Sequence, residues 1–133
     1  MVRYDVSIWA SSSDLRRRSE DPNRASSRSW STLYDAPRGT LLFDTGIGAA
    51  NERTEAHYRP HRRDLSEALA AAGVTPAEIS LVVNCHLHFD HCGGNHLLPG
   101  RPIFAQAAEL AAARTPGYTV PELVDFPGAD YRP

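Results

Sequence analysis

At 133 residues, with 41% hydrophobic and 23% charged side chains, the chain has the size and balance of one soluble globular domain. A formal net charge of −2 gives no electrostatic footprint for nucleic acid or an anionic membrane, and no apolar run approaches the roughly 18 residues of a membrane span. All 14 basic residues are arginine and they are scattered; Arg16-Arg17-Arg18 runs straight into Glu20 and Asp21 and reads as a solvated loop.

Val2 to Trp9 alternates between apolar and polar side chains, as a strand does. Residues 10–29 are rich in Ser, Arg, Asp and Asn without apolar periodicity, and read as a long loop or a disordered stretch. Trp30–Tyr34 and Thr40–Phe43 read as a hairpin closed by Asp35-Ala36-Pro37-Arg38-Gly39. The second strand exits sharply at Asp44-Thr45-Gly46-Ile47-Gly48. Helical spacing over Asp64–Ala72 puts Leu65, Ala68, Leu69 and Ala72 on one face, with Gly73 as the stop. Thr75-Pro76-Ala77-Glu78 is a capping box with proline at the first helical position. Leu81-Val82-Val83 reads as a buried strand, Arg101–Ala105 as a short strand and Ala107–Ala113 as a helix; residues 117–133 carry no firm element.

The chemistry concentrates in Cys85-His86-Leu87-His88-Phe89-Asp90-His91-Cys92-Gly93-Gly94. In an extended segment alternate side chains share a face, so His86 and His88 aim their imidazoles at one point. Asp90 and His91 are neighbours and cannot both join that face; a turn at Phe89–His91, given backbone freedom by Gly93 and Gly94, aims them at a second point. Imidazole nitrogens and carboxylate oxygens are zinc donors, so the spacing suggests two metals side by side. Cys85 reads as a small buried residue and Cys92 as packing behind the loop, with sulfur ligation left open for Cys92. His57 and His61, among Tyr58, Arg59, Arg62 and Arg63, read as exposed, and His96 as a loop residue outside the motif. The two cysteines form neither a CxxC pair nor a disulfide scaffold, and no apolar stretch follows the N-terminus, so the expected compartment is the cytoplasm.

The HxHxDH segment, the upstream Phe43-Asp44-Thr45-Gly46 and the helix-strand unit between them resemble the metallo-β-lactamase fold superfamily. The wording His86-Leu-His-Phe-Asp-His-Cys-Gly-Gly-Asn95 is most similar to its N-acyl homoserine lactonase branch. The resemblance implies an α/β fold, the N-terminal half of an αβ/βα sandwich, and hence an incomplete domain over residues 1–133. It implies that His86 and His88 hold the first zinc ion and Asp90 and His91 the second. It further implies hydrolysis of a lactone or ester carbonyl by metal-activated water, with Asp90 passing a proton to the leaving group and Asp44 supporting the ligand loop from behind.

The family's later ligands, a third histidine for each metal and a bridging aspartate, have no counterpart here. No histidine follows His96, and Thr115-Pro116-Gly117-Tyr118 carries tyrosine where the family's Thr-Pro-Gly-His has histidine, a likeness read as accidental. Two protein ligands per metal fall short of the three usual in a catalytic zinc site. The expectation is therefore a truncated dinuclear-zinc hydrolase acting on a small lactone or ester, with an apolar sheet face left open to self-association or to a complementing C-terminal half. The alternatives are a catalytically inactive remnant or half-domain needing a partner chain, and a thioester or β-lactam hydrolase of the same fold.

Overall fold

The computed structural model describes residues 2–6, 31–36 and 38–133; the expected loop at 10–29, with Trp9 and Trp30, lies outside them. The described residues form a mixed α/β arrangement around one six-stranded sheet, with strands β1 (Val2–Val6), β2 (Ser31–Ala36), β3 (Gly39–Phe43), β4 (Ile79–Val83), β5 (Pro102–Phe104) and β6 (Asp130–Arg132) side by side in chain order. β1, β2 and β3 pair antiparallel, whereas β4, β5 and β6 each join in parallel. The hairpin is tighter than its sequence suggests, since Ala36 pairs directly with Gly39. Parallel neighbours need crossovers. Helices α1 (Glu52–Tyr58) and α2 (Leu65–Ala71) lie between β3 and β4, and α3 (Ala107–Ala113) lies between β5 and β6.

The sheet explains the burial pattern. Leu33 pairs with Leu42, Leu42 with Val82, Val82 with Ile103 and Ile103 with Tyr131, which makes an apolar row across five strands. The first four of these side chains are fully buried, and Leu65, Ala68 and Leu69 of α2 join them in one core. Burying each such aliphatic side chain is worth about 1.5–3 kcal/mol. Asp64 caps α2 by accepting the Glu67 N–H at 3.0 Å, and the helix ends at Ala72 before Gly73. The opposite sheet face carries Leu41, Phe43, Leu81 and Val83, all half-buried, and Phe104 at 43% exposed.

Two segments depart from the sequence reading. Residues 52–58 form α1 although none of its side chains is buried; Asn51 caps it by accepting the Thr54 N–H, Arg59 closes it in a left-handed conformation, and Glu55 and Tyr58 tie it to Arg62 and Phe89. Within 117–133, a 3₁₀ turn at Pro121–Leu123 buries Leu123, and β6 adds an edge strand. Leu123 and Val124 pack with Leu87, Cys92 and Ala113 into a second core directly beneath the histidine loop.

Candidate metal centre

The histidine loop leaves the C-terminal end of β4 beside the loop that leaves β3, the usual place for a site in a parallel sheet. The two loops are zipped together by backbone hydrogen bonds: Thr45 N–H donates to His91 O at 2.8 Å, Gly93 N–H to Gly46 O at 2.9 Å and Gly48 N–H to Phe89 O at 2.8 Å. The anticipated turn is present, with His88 O accepting from both His91 and Cys92 N–H. Gly93 and Gly94 have a different reason from the one expected. Neither has positive φ; a Cβ on Gly93 would lie 1.7 Å from Gly48 N, and one on Gly94 2.6 Å from Thr45 O. Their role is to let two backbones touch.

His86, His88, Asp90 and His91 are all brought together. Donor atoms of His86, His88 and Asp90 lie within 4.8 Å of one another, and so do those of Cys85, His86 and His91. The imidazole centroids are 4.8 Å apart for His86–His88 and 3.9 Å for His86–His91. His91 Nε2 is 3.8 Å from Asp90 Oδ2. His86 thus belongs to both groups.

Asp44 sits behind the loop, 3% exposed, with φ of 55°. Its Oδ2 accepts from His91 Nδ1 at 2.8 Å, and its Oδ1 from Cys85 N–H at 2.9 Å. This directs the other ring nitrogen of His91 toward the site, as carboxylates do behind metal-bound histidines. Burial alone would lower the His91 imidazole, but the Asp44 hydrogen bond and the Asp44 and Asp90 charges outweigh it, and the net shift is upward. His86 shifts downward, through burial and then through the His91 and His88 charges.

Several supporting residues escaped the sequence reading. Asn95 is fully buried; its Oδ1 accepts the Thr45 hydroxyl at 2.8 Å, and its Nδ2 donates to Asn84 Oδ1 at 2.9 Å. Asn84 Nδ2 in turn donates to His91 O at 3.1 Å. This ladder ties both loops to the end of β4, and its only sequence signal was three short polar residues flanking the strand exits. Glu109 on α3 accepts the Leu87 N–H at 2.8 Å and the Tyr118 hydroxyl. Burial would raise Glu109, but these two donors hold it below the usual carboxylate range, while the same bond pushes Tyr118 up to about 12. The Tyr118 ring lies 4.5 Å from that of His88, so the tyrosine of Thr-Pro-Gly-Tyr packs onto the site.

Cys92 packs behind the loop as expected, whereas Cys85, expected to be buried, is not. Cys92 is fully buried in the second core, its thiol directed at Leu87 O at 3.4 Å. Cys85 is exposed at the site, because the chain bends as it leaves β4. Its Sγ is 2.9 Å from His86 Nδ1 and 3.2 Å from His91 Nδ1. Partial burial, then Asp44, pushes the thiol up to about 12. His57, His61 and His96 are exposed. Alongside the ligand loop runs a cleft of about 400 Å³ with Tyr58, Phe89 and Val120 as apolar walls and His88, Asp90 and Tyr118 at its polar side. No helix among the described residues is long and apolar enough to cross a membrane.

The chain is similar in sequence and fold to known proteins. An N-acyl homoserine lactonase of Bacillus cereus is 31% identical over 97 residues, spanning 64% of this chain and 39% of that protein. The human metallo-beta-lactamase domain-containing protein 1 is 39% identical over 77 residues, 58% of this chain and 25% of that protein. The crystal structure of a quorum-quenching N-acyl homoserine lactone lactonase superposes with a TM-score of 0.64 at 26% identity, covering 79% of this chain and 43% of that one. The chain therefore spans less than half the length of each of these proteins. The family model of the metallo-beta-lactamase superfamily matches residues 27–131, and the chain belongs to that superfamily.

Proposed function

We propose that this chain is the ligand-bearing half of a dinuclear-zinc hydrolase that opens lactone or related ester bonds. The observation that carries the reading is the convergence of His86, His88, Asp90 and His91 donors at the ends of parallel strands, with Asp44 fixing the ring of His91. The donor set fits zinc: neutral imidazole and carboxylate, arranged on a loop whose backbone is pinned on both sides. In this reading His86 and His88 hold one ion and Asp90 and His91 the other. Zinc, when bound, supplies Lewis acidity toward a carbonyl oxygen and lowers the pKa of water toward about 7.

The chain's own residues do the rest. Asp44 keeps His91 in the tautomer that leaves Nε2 free. Asp90, which lines the cleft, would relay a proton to the leaving alkoxide. Glu109 clamps Leu87 N–H and thereby the spacing of the two histidines that flank it. Tyr58, Phe89 and Val120 receive the apolar part of a substrate and exclude water. Lactonase activity in the relatives named above supports the substrate class.

A second reading, in which the site works only with a complementing segment, is favoured by the half-buried sheet face ending in Phe104 at 43% exposed. Both are tested by measuring zinc content and ring opening of an N-acyl homoserine lactone, with the chain alone and mixed with the C-terminal half of a relative. Activity of the chain alone supports the first reading; activity only in the mixture supports the second. A folded, zinc-loaded mixture without ring opening removes the lactonase reading.

A further inference from the structure

Tyr118 ends the segment Thr115-Pro116-Gly117-Tyr118, whose likeness to the family's Thr-Pro-Gly-His reads as accidental in the sequence, yet its ring reaches the candidate centre. We propose that Tyr118 is a positioning residue for the metal site: its ring, anchored through Glu109, holds the His88 imidazole in the orientation that presents a donor nitrogen to the ion. The inference rests on the metal-binding reading above and deepens it, giving His88 the kind of support that Asp44 gives His91.

The local sequence builds the placement. Pro116 and Gly117 occupy the two central positions of a turn, Gly117 has φ of 83°, and Tyr118 N–H closes the turn on Thr115 O at 3.3 Å; this is the signature of a type II turn. The Thr115 hydroxyl donates to Ala112 O at 2.6 Å and so ties the turn to the end of α3. The chain doubles back along that helix, and the Tyr118 hydroxyl donates to Glu109 Oε1. The same oxygen accepts Leu87 N–H at 2.8 Å. One atom therefore anchors both the backbone between His86 and His88 and the ring that packs on His88. The Tyr118 and His88 rings lie 4.5 Å apart, centroid to centroid, with their planes at 42°, within the range of a favourable aromatic contact. His86 packs edge-on against the same imidazole at 4.8 Å and 78°.

The consequence concerns rotation. The terminal torsion of a histidine side chain is soft, so an imidazole without support samples orientations in which its nitrogen misses the ion. A phenol ring on an untethered turn would restrain nothing; the bond to Glu109 is what makes this ring a fixed wall. Fixing His88 before metal arrives removes part of the ordering cost of binding. Such supports behind metal ligands typically change affinity about 10- to 100-fold.

The full 133-residue chain tests this with two readouts, one of them free of metal. In the metal-free wild type the Tyr118 ring current should displace the His88 ring-proton resonances; Tyr118→Leu should abolish that displacement and Tyr118→Phe should keep most of it. Zinc affinity, measured by chelator competition, should fall about 10-fold or more in Tyr118→Leu. It should fall by a smaller factor in Tyr118→Phe, which keeps the ring and loses its anchor. Leu110→Ala is the structural control: Leu110 packs against the same second core as Tyr118, so its loss should lower the melting temperature and leave zinc affinity unchanged. Circular dichroism verifies the fold of each variant, and if Tyr118→Leu does not fold, Tyr118→Phe alone decides. Wild-type zinc affinity in the folded Tyr118 variants would overturn the proposal while leaving the metal site standing. So would His88 resonances that Tyr118→Leu does not move, or an equal loss of affinity in Leu110→Ala. No zinc binding by the folded wild type would overturn the proposal and the metal reading together.

Discussion

Replacing Asp44 with asparagine separates the charge of one carboxylate from its shape. Asparagine tolerates the left-handed φ of 55° that Asp44 adopts, and its amide fills the same space. In the wild type every group facing the carboxylate is a donor: His91 Nδ1 at 2.8 Å, Cys85 N–H at 2.9 Å and Asn84 Nδ2 at 3.4 Å. An amide has only one acceptor atom, and the two donors on the Oδ1 side keep it. The NH₂ then faces His91 Nδ1, which must give up its proton and accept, so the proton moves to Nε2, the atom meant for the metal. Loss of such a supporting carboxylate weakens metal affinity about 10- to 100-fold, roughly 1.4–2.7 kcal/mol. Stability of the metal-free fold falls by no more than about 3 kcal/mol, since one charge-assisted hydrogen bond is exchanged. Competition with a chromophoric zinc chelator gives the affinity, and urea unfolding of the metal-free chain gives the stability. Wild-type zinc affinity in a folded Asp44→Asn chain would refute the account of Asp44.

Gly93→Ala drives a methyl to within 1.7 Å of Gly48 N and must separate the two loops; it should destabilise by more than about 3 kcal/mol in urea melts and abolish zinc uptake. Gly100→Ala meets nothing within 4 Å, so only its φ of 72° is strained, at about 1–2 kcal/mol, with zinc binding intact. Leu42→Ala, in the middle of the buried apolar row, should destabilise by about 2–5 kcal/mol without changing which metal is bound. The raised pKa of His91 adds stability to the metal-free fold that is fully present below the ordinary value of 6.5 and is lost as pH rises through the raised value. His86 shifts the other way, so the difference in melting temperature between wild type and His91→Asn is the readout. It should shrink as pH climbs past 6.5; a difference that grows would reverse the sign.

What was legible in the chain was what depends on local pattern. The HxHxDH spacing and the turn at Phe89–His91 follow from alternation and chain reversal, and α2 follows from Leu65, Ala68 and Leu69 recurring at helical spacing. Helix α1 was invisible because none of its side chains is buried; its cap, the Glu55 contacts with Ala50 N–H and Arg62, and the Tyr58–Phe89 ring contact hold it. The supporting contacts of the site join residues far apart in sequence. Thr45 meets Asn95 across 50 positions and Leu87 meets Glu109 across 22, separations that no periodicity encodes. The exposure of Cys85, expected to be buried, has the same origin: it is set by the bend after Val83, a tertiary outcome.

The central claim is that the imidazoles and carboxylate of residues 86–91 gather metal. Isothermal titration of zinc into the metal-free 133-residue chain tests it most directly, alongside a variant carrying His86→Ala, His88→Ala and His91→Ala whose fold is verified by circular dichroism. The account predicts zinc binding by the wild type and none by the variant. Equal binding by both, or none by a folded wild type, would contradict it.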